Sequence, residues 1–246
     1  MNLKAALKYQ VYEYKNNVIL YYAGLITFNI FILSMVMKDN NPGMISGMET
    51  VSIIFLLVIG MYSFKESFHM LMQNGVSRIT IFKARILSGI ILSLGVAFAD
   101  VILLQIGKWY SINYPRFNVY GLLEGIYNRP NISVSRLRME GIFYNFSIYL
   151  AVFLFGCFLS VVYYRISKGL KTLMMFGIPA ALFIGIPILD ANITNGNIGK
   201  SLKLFIQLVL GIKNNNPYIA MVNGLIGFLI FSILTWLAMG KTIIKN

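Results

Sequence analysis

Lys65-Glu66-Ser67-Phe68-His69-Met70-Leu71-Met72-Gln73-Asn74-Gly75-Val76-Ser77-Arg78 is a polar hairpin set between two apolar segments of membrane length, Ile45–Phe64 and Ile86–Ile106. Phe64, Phe68, Leu71 and Met72 recur at i, i+4, i+7 and i+8, while Lys65, Glu66, His69 and Gln73 take the other face, which is the pattern of an amphipathic helix. Asn74-Gly75 supplies a helix stop, because both residues tolerate the left-handed conformation that a helix C-terminus adopts. Ser77 can then cap the next helix, whose start carries Arg78, Lys83 and Arg85. The expected unit is a short helix lying across a membrane surface, a tight turn, and re-entry into the bilayer. An ordinary amphipathic connector would share this composition.

The rest of the chain sets the class. Of 246 residues, 58% are hydrophobic and 12% charged, with a mean hydropathy of +0.73. Soluble domains carry about 25% charge, so the composition is that of a membrane protein. The net charge of +13 is scattered at the ends of apolar segments, which argues for membrane topology and against nucleic-acid binding. Cys157 is the one cysteine, so no disulfide framework exists.

Six segments are expected to span a core that takes about 20 helical residues to cross: Val18–Met37, Ile45–Phe64, Ile86–Ile106, Ile142–Tyr164, Leu173–Leu189 and Tyr218–Met239. The first is longer than a signal-peptide core and lacks a small-x-small site, so it is expected to stay as a span. The fifth holds Gly177, Pro179, Gly185 and Pro187 and should kink or break. With six spans, twelve basic residues fall on the side of the termini and nine on the other, which favours both termini inside. Leu3, Leu7, Val11, Tyr14 and Val18 form a stripe that predicts an N-terminal amphipathic helix, or simply an extended start of the first span. Ser201–Ile212 is too short to span and suits an interfacial or re-entrant helix.

Catalysis is not expected. The sequence has no Gly-x-x-x-x-Gly-Lys-Ser/Thr phosphate loop, and His69 is its single histidine, so neither ATP hydrolysis nor a His-x-x-x-His metal site is encoded. Asp100 is the acid well inside a span. Such a residue normally faces protein or water. It reads as a cation, proton or substrate site, with Glu49 as a possible companion, or as an acid close enough to the outer end to reach the interface or pair with Lys108.

Six spans, an Asn74-Gly75-Val76-Ser77-Arg78 turn after a short helix, an N-terminal amphipathic helix and a short helix before the last span together resemble the permease subunit of type-2 ABC exporters. The likeness covers the whole chain in layout, and only Gln73–Arg78 in residues. It implies a single transmembrane domain over residues 1–246, in a bacterial cytoplasmic membrane, paired with a second copy or paralogue. It implies also a separate cytosolic ATPase that holds ATP and magnesium, none being held by this chain. Glu66, His69, Gln73, Asn74, Ser77 and Arg78 become the contacts to that ATPase. Spans one, two and five would line the pathway with Phe28, Asn29, Phe31, Phe55, Met174, Met175, Phe176 and Phe183, a wall suited to an amphipathic peptide, antibiotic or lipid-like cargo. The outer segment Gly107–Gly141 is longer than the family pattern and suggests a lid or a partner surface. Two alternatives remain: the six-helix substrate-binding membrane subunit of a vitamin importer, and a non-transport immunity or sensor protein.

Overall fold

The computed structural model describes residues 2–38, 43–114, 117–127, 129, 132–173, 185–192, 194 and 196–240. Five of its helices are long and apolar enough to cross a membrane: α1 (Leu3–Lys38), α2 (Met48–Gln73), α3 (Arg78–Asn113), α5 (Val134–Arg165) and α9 (Pro217–Gly240). The chain is therefore a helical membrane protein. Shorter helices are α4 (Leu122–Ile126), α6 (Lys168–Thr172), α7 (Ile186–Asn192) and α8 (Asn197–Val209). The fifth expected span falls mostly on residues 174–184, outside the described residues; the other five expected spans correspond to the five long helices among the described residues.

α5 is the hub, with α2 and α3 on one side and α9 on the other. It can serve both because its small residues let two backbones approach. A Cβ on Gly156 would sit 2.5 Å from the Leu57 carbonyl oxygen of α2, and one on Gly60 would sit 2.4 Å from that of Phe153. Across the other face, Gly224 of α9 lies against the Ser147 backbone, where a Cβ would come within 2.9 Å. In a membrane, where lipid is as apolar as leucine, such close packing drives helix association.

Buried side chains form three clusters along the bundle. Tyr14, Leu56, Val96, Tyr149, Phe153 and Cys157 fill the middle. Phe68, Leu71, Val76, Ala84, Val161 and Met239 close the end that carries the 74–77 turn. Leu123, Tyr127, Tyr144 and Ala220 close the opposite end. That end also carries two strands absent from the sequence reading, β1 (Gly43–Ser46) and β2 (Phe117–Tyr120), paired in parallel with Gly43 opposite Phe117. The α2–α3 hairpin is the crossover that a parallel pair requires.

At the N-terminus the extended start of the first span, one of the two expected alternatives, is what forms, and one further helix boundary differs from expectation. The amphipathic N-terminal segment is not separate: α1 runs unbroken for 36 residues, about 54 Å, well beyond a core of about 30 Å. Its buried stripe is Ala6, Gln10 and Tyr14, with Leu3 left exposed, because Arg85 of α3 is buried against it. Arg85 donates to the Tyr14 hydroxyl at 2.7 Å and to the Ser67 hydroxyl, and Ser88 donates to Gln10 at 3.1 Å. Arg85 is thus a buried cation joining α1, α2 and α3, where the sequence suggested a surface charge. Likewise the helix in Lys65–Gln73 is not a separate element across the surface but the last turns of α2.

Candidate functional site

The α2–α3 turn is built as the sequence predicted. The Val76 N–H bonds the Leu71 carbonyl at 3.0 Å and the Gly75 N–H bonds that of Met72 at 3.0 Å, a Schellman closure with Gly75 at φ 72°. Val76 and Leu71 add the apolar contact that accompanies this motif. The Ser77 hydroxyl then accepts from the Thr80 N–H at 3.3 Å and caps α3. Replacing Ser77 with alanine should cost about 1 kcal/mol of stability, measurable as a small fall in melting temperature in detergent.

Of the six residues expected to contact a partner, Gln73, Asn74 and Ser77 are exposed at this turn. Asn74 and Ser77 are occupied structurally, Asn74 donating to the Met70 carbonyl at 2.8 Å. His69 is half-buried, 3.0 Å from the Tyr164 hydroxyl of α5. Arg78 reaches the last residue of α9, donating to the Gly240 carbonyl at 2.8 Å. Glu66 lies in the helix, its side chain outside the described residues. Met70, which sequence reasoning had not singled out, is exposed one turn before Gln73. An exposed methionine beside a polar turn was a legible signal.

A cleft of about 1110 Å³ lies between α1 and α2. Phe28, Asn29 and Phe55, three of the residues read as pathway lining, border it together with Gly24, Tyr21 and Tyr62. Phe31 is not among its lining residues and is exposed elsewhere. Met174, Met175, Phe176 and Phe183 lie outside the described residues. Tyr21 stacks on Phe55 with ring centroids 4.0 Å apart and shares a hydrogen bond of 2.7 Å with Ser52, which fixes the inner wall.

Behind that wall sits Asp100. The interface and Lys108 are not its partners: it is 6% exposed, and Lys108 pairs instead with Glu124 of α4. Its carboxylate accepts from the hydroxyls of Tyr22 at 2.8 Å and Tyr149 at 2.5 Å. Glu49, at the start of α2, is equally buried and accepts from the Leu122 N–H at 3.1 Å.

Residues within Gly107–Gly141 fold onto the chain's own bundle rather than standing free. Besides the strand pair and the Lys108–Glu124 bridge, the Tyr127 hydroxyl donates to the Leu210 carbonyl, and burial pushes that phenol's pKa up. Glu140 gathers Arg129 at 2.7 Å, Arg136 at 2.8 Å and the Tyr218 hydroxyl at 2.6 Å. Arg136 lies one helical turn before Glu140 and was within reach of a sequence reading, whereas Tyr218 lies 78 residues away and was not.

α8 carries Ile198, Leu202, Phe205 and Ile206 on one exposed face, with Lys200 and Lys203 off it. Its first turn is capped from α7: Asp190 accepts from the Ile198 and Gly199 N–H groups, each at 2.8 Å, and from the Thr194 hydroxyl at 2.6 Å. The Thr194 bond first, then the two backbone donors, hold this carboxyl below the usual carboxylate range. The cap is therefore in place above a pH of about 4 and is lost as pH falls through the lowered value. Asp190→Ala should speed amide exchange at Ile198 and Gly199 at neutral pH, with the wild type matching it only in acid.

Comparison with protein-family models, with curated proteins and with solved structures yields no match to this chain.

Proposed function

We propose that this chain is the membrane subunit of an ATP-driven exporter of the type-2 ABC class, working as a dimer with a cytosolic ATPase and expelling an amphipathic peptide, antibiotic or lipid-like cargo from a bacterial cell. The observation that carries the reading is the α1–α2 cleft of about 1110 Å³, apolar and aromatic with Asn17 and Asn29 as polar points. A cavity of that size suits a drug-sized or larger amphipathic ligand. On this reading the chain crosses the membrane six times. α5 ends beside the 74–77 turn, where Tyr164 meets His69, whereas Leu210 lies at the opposite end, bonded to Tyr127. The proposed fifth span, Leu173–Leu189, would join these two ends. Both termini then share the cytosolic side with the turn, which would dock the ATPase, and α8 lies in the outer interface.

The deciding experiment is affinity isolation in mild detergent with quantified stoichiometry. A soluble ATPase at one copy per chain is expected, and its absence would refute the assignment. The cleft has its own test. A Cβ on Gly24 meets nothing within 4 Å, so Gly24→Trp should fit the fold while filling the cleft. Transport is expected to fall at least tenfold at an unchanged melting temperature; undiminished transport would remove the cleft from the pathway.

A further inference from the structure

Glu49 and Asp100 line one small cavity with Leu25, Met48, Leu103 and Leu104, of about 10 Å³, room for roughly one water. Their surroundings differ. Asp100 has a hydroxyl donor on each oxygen, Tyr22 of α1 and Tyr149 of α5. Glu49 is 5% exposed and holds the Leu122 N–H on Oε1, but its Oε2 is buried with no hydrogen-bond partner.

The nearby charges do not neutralise this pair. Lys108 of α3 and Glu124 of α4 bridge each other, and Arg138 of α5 lines a neighbouring cavity that Glu49 also borders without forming a salt bridge to it. Among the described residues, no salt bridge reaches Glu49 or Asp100. Tyr21 of α1 and Tyr144 of α5, the other titratable neighbours, are phenols and bring no positive charge. Two ionised carboxylates in one small buried cavity repel each other and are poorly solvated, so one of them holding a proton is the stable arrangement. The donors choose which one. Two hydroxyls favour the anion at Asp100, whereas a proton on Glu49 Oε2 turns an orphaned acceptor into a neutral hydroxyl.

We propose that Glu49 and Asp100 form a proton-binding site, with the proton on Glu49 Oε2 and the negative charge on Asp100. A hard metal cation is the competing occupant, but it wants about six oxygen ligands. The other residues lining this cavity are apolar, and no group of three metal-ligating side chains occurs among the described residues. The site stands or falls independently of any ATPase.

Infrared spectroscopy of the full chain in detergent tests it. At neutral pH a protonated-carboxyl stretch worth one group per chain is expected. It should vanish in Glu49→Gln, shift in Asp100→Asn, and persist unchanged in Glu124→Gln and when choline replaces sodium. A wild-type spectrum without that band overturns the proposal, and this measurement needs no variant to fold. So does a band indifferent to both Glu49→Gln and Asp100→Asn, or one that sodium abolishes, which would make the occupant a metal cation.

Discussion

Gly156→Leu should leave no monodisperse protein after detergent extraction, and Gly60→Leu should do the same. At both positions the atom that a side chain would strike is a backbone carbonyl, 2.5 Å from a Cβ on Gly156 and 2.4 Å from one on Gly60. A carbonyl inside a helix cannot swing aside, so α2 and α5 would have to separate. Separation opens the central cluster in which Leu56, Phe153 and Cys157 are fully buried. Overpacking a rigid site costs about 1–3 kcal/mol for a modest change and more where the neighbour is fixed, against a total stability of about 5–15 kcal/mol. Even Gly156→Ala should lower the melting temperature measurably. Gly95→Ala is the control, since its Cβ would meet nothing within 4 Å, and it should melt like the wild type. Equal behaviour of Gly156→Leu and Gly95→Ala in size-exclusion and thermal-melt assays would disprove the close approach.

Hydropathy made the membrane class and most long helices legible, because each apolar run is local and long. The turn was legible in detail for the same reason: Asn74-Gly75 and Ser77 act on neighbours within five residues. Helix continuity was not. Polar residues at Lys65–Gln73 and Lys4–Lys15 look like breaks to a hydropathy reading, yet nothing at those positions interrupts a helical backbone. Long-range partners were hidden too. Asp100 lay open between two readings until Tyr22 and Tyr149 appeared 78 and 49 residues away. Arg85 looked like a flanking charge until Tyr14, 71 residues earlier, was placed against it. In the cleft, Phe28, Asn29 and Phe55 came together because α1 turns Tyr21 and Phe28, and α2 turns Phe55 and Tyr62, toward one gap. Phe31, three residues beyond Phe28, falls outside the lining.

That placement also sharpens which residues can test ATPase docking. Arg78 is a poor probe, because its guanidinium holds the end of α9 and its loss would disturb the fold as well as the surface. His69, Asn74 and Ser77 are compromised likewise by their bonds to Tyr164, Met70 and Thr80. Met70 and Gln73 are the cleaner pair. Both are exposed, and their i, i+3 spacing puts them on one side of the last turns of α2. Met70→Glu/Gln73→Glu should therefore leave the stability within about 0.5 kcal/mol of wild type, as surface changes do. If the turn docks an ATPase, an exposed apolar contact replaced by charge should cut co-isolation at least tenfold, since truncating a well-packed interface anchor costs about 2 kcal/mol or more. Transport should fail while the ATPase alone keeps its basal hydrolysis, because the lost link is mechanical and not catalytic. Retained co-isolation and transport in this double variant, at unchanged stability, would show that the turn closes the α2–α3 hairpin and nothing more.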